Sequence, residues 1–166
     1  MDNLITGNVW LFGDNINTDN ISPARYLTRE LPIEELSKHI FEGTIDNFYK
    51  KIEKGDIIVA GENFGCGSSR EESPIGIKGV GISLIIAESF GRIFFRNSIN
   101  IGLPLIECKG ISKDIKQGDV LKVNIQDGII ERMSDNKKYY SEKKPEFLMD
   151  ILKAGGLLEY LKKEIL

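Results

Sequence analysis

Two short runs, Ile57-Ile-Val-Ala60 and Leu84-Ile-Ile-Ala87, constrain the fold more than anything else in the chain. Neither alternates apolar with polar residues. A strand of this kind needs cover on both faces, which is the condition of a parallel sheet sandwiched by helices. Each run leads through a loop into a helical stretch, at about 71–78 and about 88–97. Two successive strand–helix pairs predict a parallel core in the middle of the chain.

The rest of the chain is arranged around that core. Residues 8–12 form a short strand that ends at Gly13, Asp14 and Asn15. Residues 17–29 are polar, interrupted by Pro23 and without period, so they read as a long loop. Residues 33–41 put Ile33, Leu36, Ile40 and Phe41 on one helical face, with Pro32 in the first turn, and residues 46–52 add a helix or turn. In the helix at 88–97, Phe90, Ile93, Phe94 and Asn97 face inward. Arg92 and Arg96 hold the other face, where they reach a site, anchor the helix or meet a partner. Residues 120–125 and 129–133 alternate as a hairpin, with Asp127-Gly128 as a type I′ turn signal. Tyr139 and Tyr140 add a possible strand. The tail from Pro145 reads as two helices broken at Gly155 and Gly156, with Phe147, Leu148, Ile151 and Leu152 as core.

With 166 residues and no repeat or linker, one domain spanning 1–166 is expected. Lys and Arg total 22 against 25 Asp and Glu, so no net positive field draws the chain to nucleic acid or an acidic membrane. The start has neither the basic nor the long apolar part of a signal peptide, which points to the cytoplasm. Cys66 and Cys108 stand apart and His39 is the only histidine, so the chain does not build a standard zinc or iron–sulfur site by itself.

The segment Gly65-Cys-Gly-Ser-Ser-Arg-Glu71 carries the chemistry. Glycines allow a tight turn with N–H groups facing inward. The following helix would add its positive end. Ser68 and Ser69 bring hydroxyls, and Arg70 a planar fork that matches a carboxylate or phosphate. A plainer alternative stays open: a tight strand-to-helix turn with Ser68 or Ser69 capping the helix and Arg70 solvated. Dinucleotide binding is a third, since Glu88 falls about 20 residues beyond Gly67. Arg70 stands there where the third glycine would allow close packing. The Gly-Lys-Ser/Thr ending of a phosphate-binding Walker loop is missing.

Four ordered motifs resemble a known family: Gly-x-Gly-Ser-Ser-Arg-Glu at 65–71, Asn-Thr-Asp-Asn-Ile-Ser-Pro-Ala-Arg-Tyr-Leu at 17–27, Ala-Glu-Ser-Phe-Gly-Arg-Ile-Phe-Phe-Arg-Asn at 87–97, and Asn-Ile-Gly-Leu-Pro-Leu at 100–105. They are similar to the small subunits of 3-isopropylmalate dehydratase and homoaconitase and to the swivel domain of aconitase. The resemblance implies a swivelling β/β/α fold of the α/β class: a mixed central sheet, flanking helices and a small β-hairpin section. It also implies a hydro-lyase active only with a large subunit, which carries a [4Fe–4S] cluster while this chain binds no cofactor. The substrate would be a di- or tricarboxylate, and the pathway leucine biosynthesis.

By motif position, Ser68 resembles the general base and Arg70 the group that stabilises its alkoxide. Ser69 and Arg70 would hold a substrate carboxylate, and Asp19 would orient groups around the base or the leaving hydroxyl. Asp19 read alone would equally serve its own loop as an Asx turn. Specificity falls on residues 25–29, where Thr28 and Arg29 would face the variable end of the substrate. Homoaconitase-like relatives have arginine directly after Tyr-Leu, whereas here Thr28 intervenes. Homoaconitate and dimethylmalate therefore stand beside isopropylmalate. Glu72 occupies a position where many relatives have histidine. A non-catalytic carboxylate-binding module is the reading from outside enzymology.

Overall fold

Both uniformly apolar runs are strands buried at every position: β2 (Ile57–Ala60) and β3 (Leu84–Ala87). The computed structural model describes residues 3–26 and 31–165. The other strands are β1 (Leu4–Leu11), β4 (Leu105–Glu107), β5 (Val120–Asn124), β6 (Ile129–Arg132) and β7 (Lys137–Tyr140). The helices are α1 (Thr18–Ile21), α2 (Ile33–Lys38), α3 (Phe48–Lys51), α4 (Glu72–Val80), α5 (Arg92–Asn100), α6 (Glu146–Ala154) and α7 (Leu157–Ile165). Among the described residues the strands form one seven-stranded sheet in the order β4-β3-β2-β1-β5-β6-β7.

β1 divides this sheet. Its last residues, Val9 to Leu11, pair in parallel with β2, while Leu4 to Asn8 pair antiparallel with β5. The parallel half, β1 to β4, is covered on both faces because its side chains alternate between two apolar clusters. Ile57, Val59, Leu84 and Ile86 join Met149, Ile151 and Leu152 of α6 on one side. Ile58, Ala60 and Ile85 join Ile40, Phe41 and Ile77 on the other. The antiparallel half is a meander, and β5 alternates buried with exposed residues.

Several local expectations are corrected. Residues 17–29 are not all loop: Asn17 and Asn20 cap each other's backbone and close α1, and Ala24–Tyr26 is a 3-10 turn. β1 starts at Leu4, where it gains β5 as a partner. The helix expected at 88–97 begins only at Arg92, because Ser89 and Gly91 are used to hold a neighbouring loop. Ile93 points outward with Arg92 and Arg96, and Phe94, Ser98 and Ile99 face in. Ile33 and Phe147 are likewise exposed, and Met149 takes the core place given to Phe147. Pro32 stands just before α2 as its N-cap. The hairpin turn has four residues, Asn124 and Ile129 being paired across it, and of Asp127 and Gly128 only the glycine has positive φ. A type I′ turn requires positive φ at both central residues. β4, an edge strand, was not expected.

Candidate active-site ledge at the carboxyl edge of the parallel strands

β1, β2 and β3 run in the same direction, so the segments that leave them meet at one edge of the sheet. In α/β sheets that edge is where ligands gather. Three segments interlock there: 14–22, 61–70 and 88–91. The Asp14 carboxylate accepts the Glu62 N–H at 2.7 Å, and Gly61 leaves room for it, since a Cβ would lie 1.8 Å from Asp14 Oδ1. Gly65 donates to the Ile16 carbonyl at 2.7 Å and Thr18 to the Cys66 carbonyl at 2.9 Å. Phe64 N–H donates to the Ser89 carbonyl and Gly91 N–H to the Phe64 carbonyl, at 3.0 and 2.9 Å.

Glycine is required at the centre of this lock. Gly65 has φ +76°, and a Cβ there would stand 2.2 Å from the Phe94 ring. Without that side chain the loop lies flat against α5 and turns its tip outward, leaving Gly67, Ser68 and Ser69 exposed.

The structure brings Asp19, Ser68, Ser69 and Arg70 to one ledge. Arg70 forms an ion pair with the Asp19 carboxylate and donates to the Ser22 carbonyl at 2.8 Å. The arginine side chain is only 13% exposed, whereas that of Asp19 is 64% exposed, so the pair sits at the surface with its acidic member outermost. Two contacts leave the guanidinium's remaining N–H groups for a guest. The Thr18 hydroxyl donates to the Ser68 carbonyl at 3.0 Å and fixes the backbone that carries the Ser68 hydroxyl. A planar cation with a hydroxyl on each of the two preceding residues can grip a carboxylate and accept a proton nearby.

The helix start contributes less than its position suggests. α4 begins at Glu72 after Glu71 as N-cap, so neither Ser68 nor Ser69 caps it. Two carboxylates at that end oppose the helix dipole's attraction for an anion. The Gly65 N–H is likewise spent on Ile16. Positive charge on the ledge therefore comes from Arg70.

Thr28 and Arg29 lie outside the described residues. The segment leading to them is pinned: Arg25 pairs with Glu42 at 2.6 Å, and the Tyr26 ring stacks on His39 with centroids 3.8 Å apart. Thr18 and Ser22 are supports that the sequence reading did not single out. Their one signal was proximity to Asp19, since both act on residues some fifty positions away. Among the described residues no cluster of His, Cys, Asp and Glu could hold a metal ion, and no helix is long and apolar enough to cross a membrane.

Residues 15–110 match the model of the aconitase C-terminal domain. The isopropylmalate/citramalate isomerase small subunit of Methanocaldococcus jannaschii is 55% identical over 99% of this chain and 98% of its own length. The 3-isopropylmalate dehydratase small subunit 1 of Methanopyrus kandleri is 47% identical over 99% and 96%. The crystal structure of a 3-isopropylmalate dehydratase from Methanocaldococcus jannaschii superimposes with a TM-score of 0.90 at 45% identity, covering 98% of this chain and 95% of that one. The mixed sheet divided at β1, the interlocked ledge and these likenesses over almost the whole length agree: the chain belongs to the aconitase C-terminal domain family, in the branch of 3-isopropylmalate dehydratase small subunits.

Proposed function

We propose that this chain, as one domain over 1–166, is the small subunit of a cytoplasmic 3-isopropylmalate dehydratase. With a large subunit it would convert 2-isopropylmalate to 3-isopropylmalate by dehydration and rehydration. The observation that carries this reading is the surface pair of Arg70 and Asp19 beside the exposed Ser68 and Ser69, in a chain of this family. The large subunit's [4Fe–4S] cluster would supply the Lewis acid for the departing hydroxyl.

This chain's part is proton handling and grip. Ser68, held as an alkoxide by the Arg70 guanidinium, takes the proton from the carbon beside a carboxylate and is left a neutral hydroxyl. Ser69 and Arg70 hold the carboxylate. Asp19 fixes the arginine's plane. Thr28 and Arg29 read the substrate's variable end. Arg29→Ala is expected to weaken a tricarboxylate such as homoaconitate far more than isopropylmalate, and equal effects on KM would remove Arg29 from that role.

Citramalate is a second substrate for this reading, because the relative at 55% identity is named for both isopropylmalate and citramalate. The test is to co-express this chain with a cluster-bearing large subunit and assay 2-isopropylmalate, citramalate, homoaconitate and dimethylmalate. Turnover of 2-isopropylmalate by the pair and by neither chain alone is expected. A pair that assembles with its cluster intact and turns over none of the four would overturn the proposal.

A further inference from the structure

A cleft of 760 Å³ opens at the carboxyl ends of β3 and β4, next to the ledge. Four cations line it: Arg92 and Arg96 from α5, Lys109 beyond β4, and Lys144 before α6. Among the described residues none of the four forms an ion pair, although Arg25, Arg70 and Arg132 all do. Arg92 and Arg96 are exposed and make no side-chain hydrogen bond there.

The cleft has carboxylates of its own, which leave these cations unsatisfied. Glu88 accepts a hydrogen bond from the Ser112 hydroxyl. Glu107 and Glu142 favour the charge on Lys144 without pairing with it, and burial, the larger influence, holds that ammonium below the usual lysine range. A partly desolvated cation without a contact counter-charge is a state that an incoming carboxylate relieves.

We propose that this cleft is the socket in which the large subunit seats a carboxylate-bearing segment, with Arg92 and Arg96 as its contact cations. The inference rests on the small-subunit reading above. Position argues for a protein occupant: residues 88–91 are hydrogen-bonded to the ledge loop through Phe64, and Glu88 and Phe90 among them line the cleft, so a body seated on the ledge adjoins it. Surface chemistry agrees. Ile93 is 47% exposed between the two arginines, and Tyr140 in the cleft wall is 69% exposed. Aromatic and aliphatic surface set among arginines suits a protein partner better than a free anion.

The test is calorimetric titration of the full chain into the purified large subunit at low and high salt. Arg92→Glu/Arg96→Glu should weaken association by about tenfold or more and flatten its dependence on salt. Arg92→Gln/Arg96→Gln, which introduces no repulsion, should do the same in part and guards against a misfolded reversal. Lys162→Glu/Lys163→Glu on α7 should leave both quantities at the wild-type level. Wild-type affinity and salt dependence in both arginine variants would overturn the socket. So would citrate binding to the isolated chain that Arg92→Gln/Arg96→Gln abolishes while large-subunit affinity stays unchanged. A wild-type chain that binds no large subunit would bring down the small-subunit reading, and the socket with it.

Discussion

Arg70 in the parallel half and Arg132 in the antiparallel half are each 13% exposed, yet their surroundings differ in kind. Arg132 spends three of its five N–H groups on its own chain. Asp135 takes two of its N–H groups at 3.0 and 2.6 Å, and the Asp114 carbonyl takes a third at 2.8 Å. Asp114 in turn pairs with Lys137 and accepts from the Tyr139 hydroxyl at 2.6 Å. This network joins β6, β7 and the turn before β5, and the Nε–Nη2 edge of the fork, which a guest carboxylate would take, is already held by Asp135. Arg70 has one exposed carboxylate and one carbonyl, beside two exposed serines. Equal burial thus conceals opposite uses, and what separates a structural arginine from a binding one is how many donors the chain leaves unspent.

The largest effect that tests this contrast is on turnover. Ser68→Ala should lower kcat of the assembled pair by about 10²–10⁴-fold, the usual contribution of a positioned general base, with assembly unchanged. Wild-type kcat in that variant would take Ser68 out of the mechanism. Arg70→Lys comes next. A point charge cannot keep Asp19, the Ser22 carbonyl and a substrate carboxylate in one plane, so kcat/KM should fall by about 10²-fold at nearly constant melting temperature. Arg132→Lys should show the reverse, a lower melting temperature with kcat preserved. If both substitutions acted alike on kcat, the distinction between the two arginines would fail.

Glycine provides a second comparison, now in stability. Gly65 and Gly118 both hold positive φ, +76° and +84°. A Cβ on Gly65 meets the Phe94 ring at 2.2 Å, whereas Gly118 has open space around it. Gly118→Ala should therefore show little beyond the backbone cost of about 1 kcal/mol, and Gly65→Ala should add an overpacking cost of about 1–3 kcal/mol. Equal changes in urea midpoint would mean that Phe94 moves aside freely and that the ledge is not locked to α5.

These contrasts also mark what a sequence can disclose. β2 and β3 were legible because burial on both faces leaves no polar residue in the run, and the ledge loop because glycines, serines and arginine adjoin one another. Asp19 was legible only through its motif. α1 was not, since two asparagine side chains close four residues that have no helical period. β4 is three residues long and gains its identity from β3. Ile93 was placed with Phe94 on the inward face of α5 because the two are adjacent and equally apolar, whereas only Phe94 packs inward, against Phe64 and Gly65. Thr18 and Ser22 act across the fold, where sequence separation hides them.

The smallest expected effect lies in the antiparallel network and depends on pH. Hydrogen bonding from Arg132, then from the Lys137 N–H, lowers the Asp135 carboxyl to about 2. An unfolded aspartate titrates near 3.9, so the folded state binds this proton less readily. The pair's contribution is present above pH ~4 and is lost as pH falls from ~4 towards ~2. Asp114 is lowered in the same sense, first by Lys137 and then by Tyr139. At the alkaline end the sign inverts. Burial, then the hydrogen bond to Asp114, raises the Tyr139 hydroxyl to about 12, so its contribution is present below pH ~10 and lost as pH rises towards ~12. The Asp135 side chain is half exposed, and solvent screening keeps its effect small. Melting temperature measured from pH ~4 to ~2 should fall less steeply for Asp135→Asn than for the wild type, because the variant lacks the titrating partner. Identical slopes would show that Arg132 draws nothing from Asp135, and the view of it as the structural arginine would then rest on Asp114 alone.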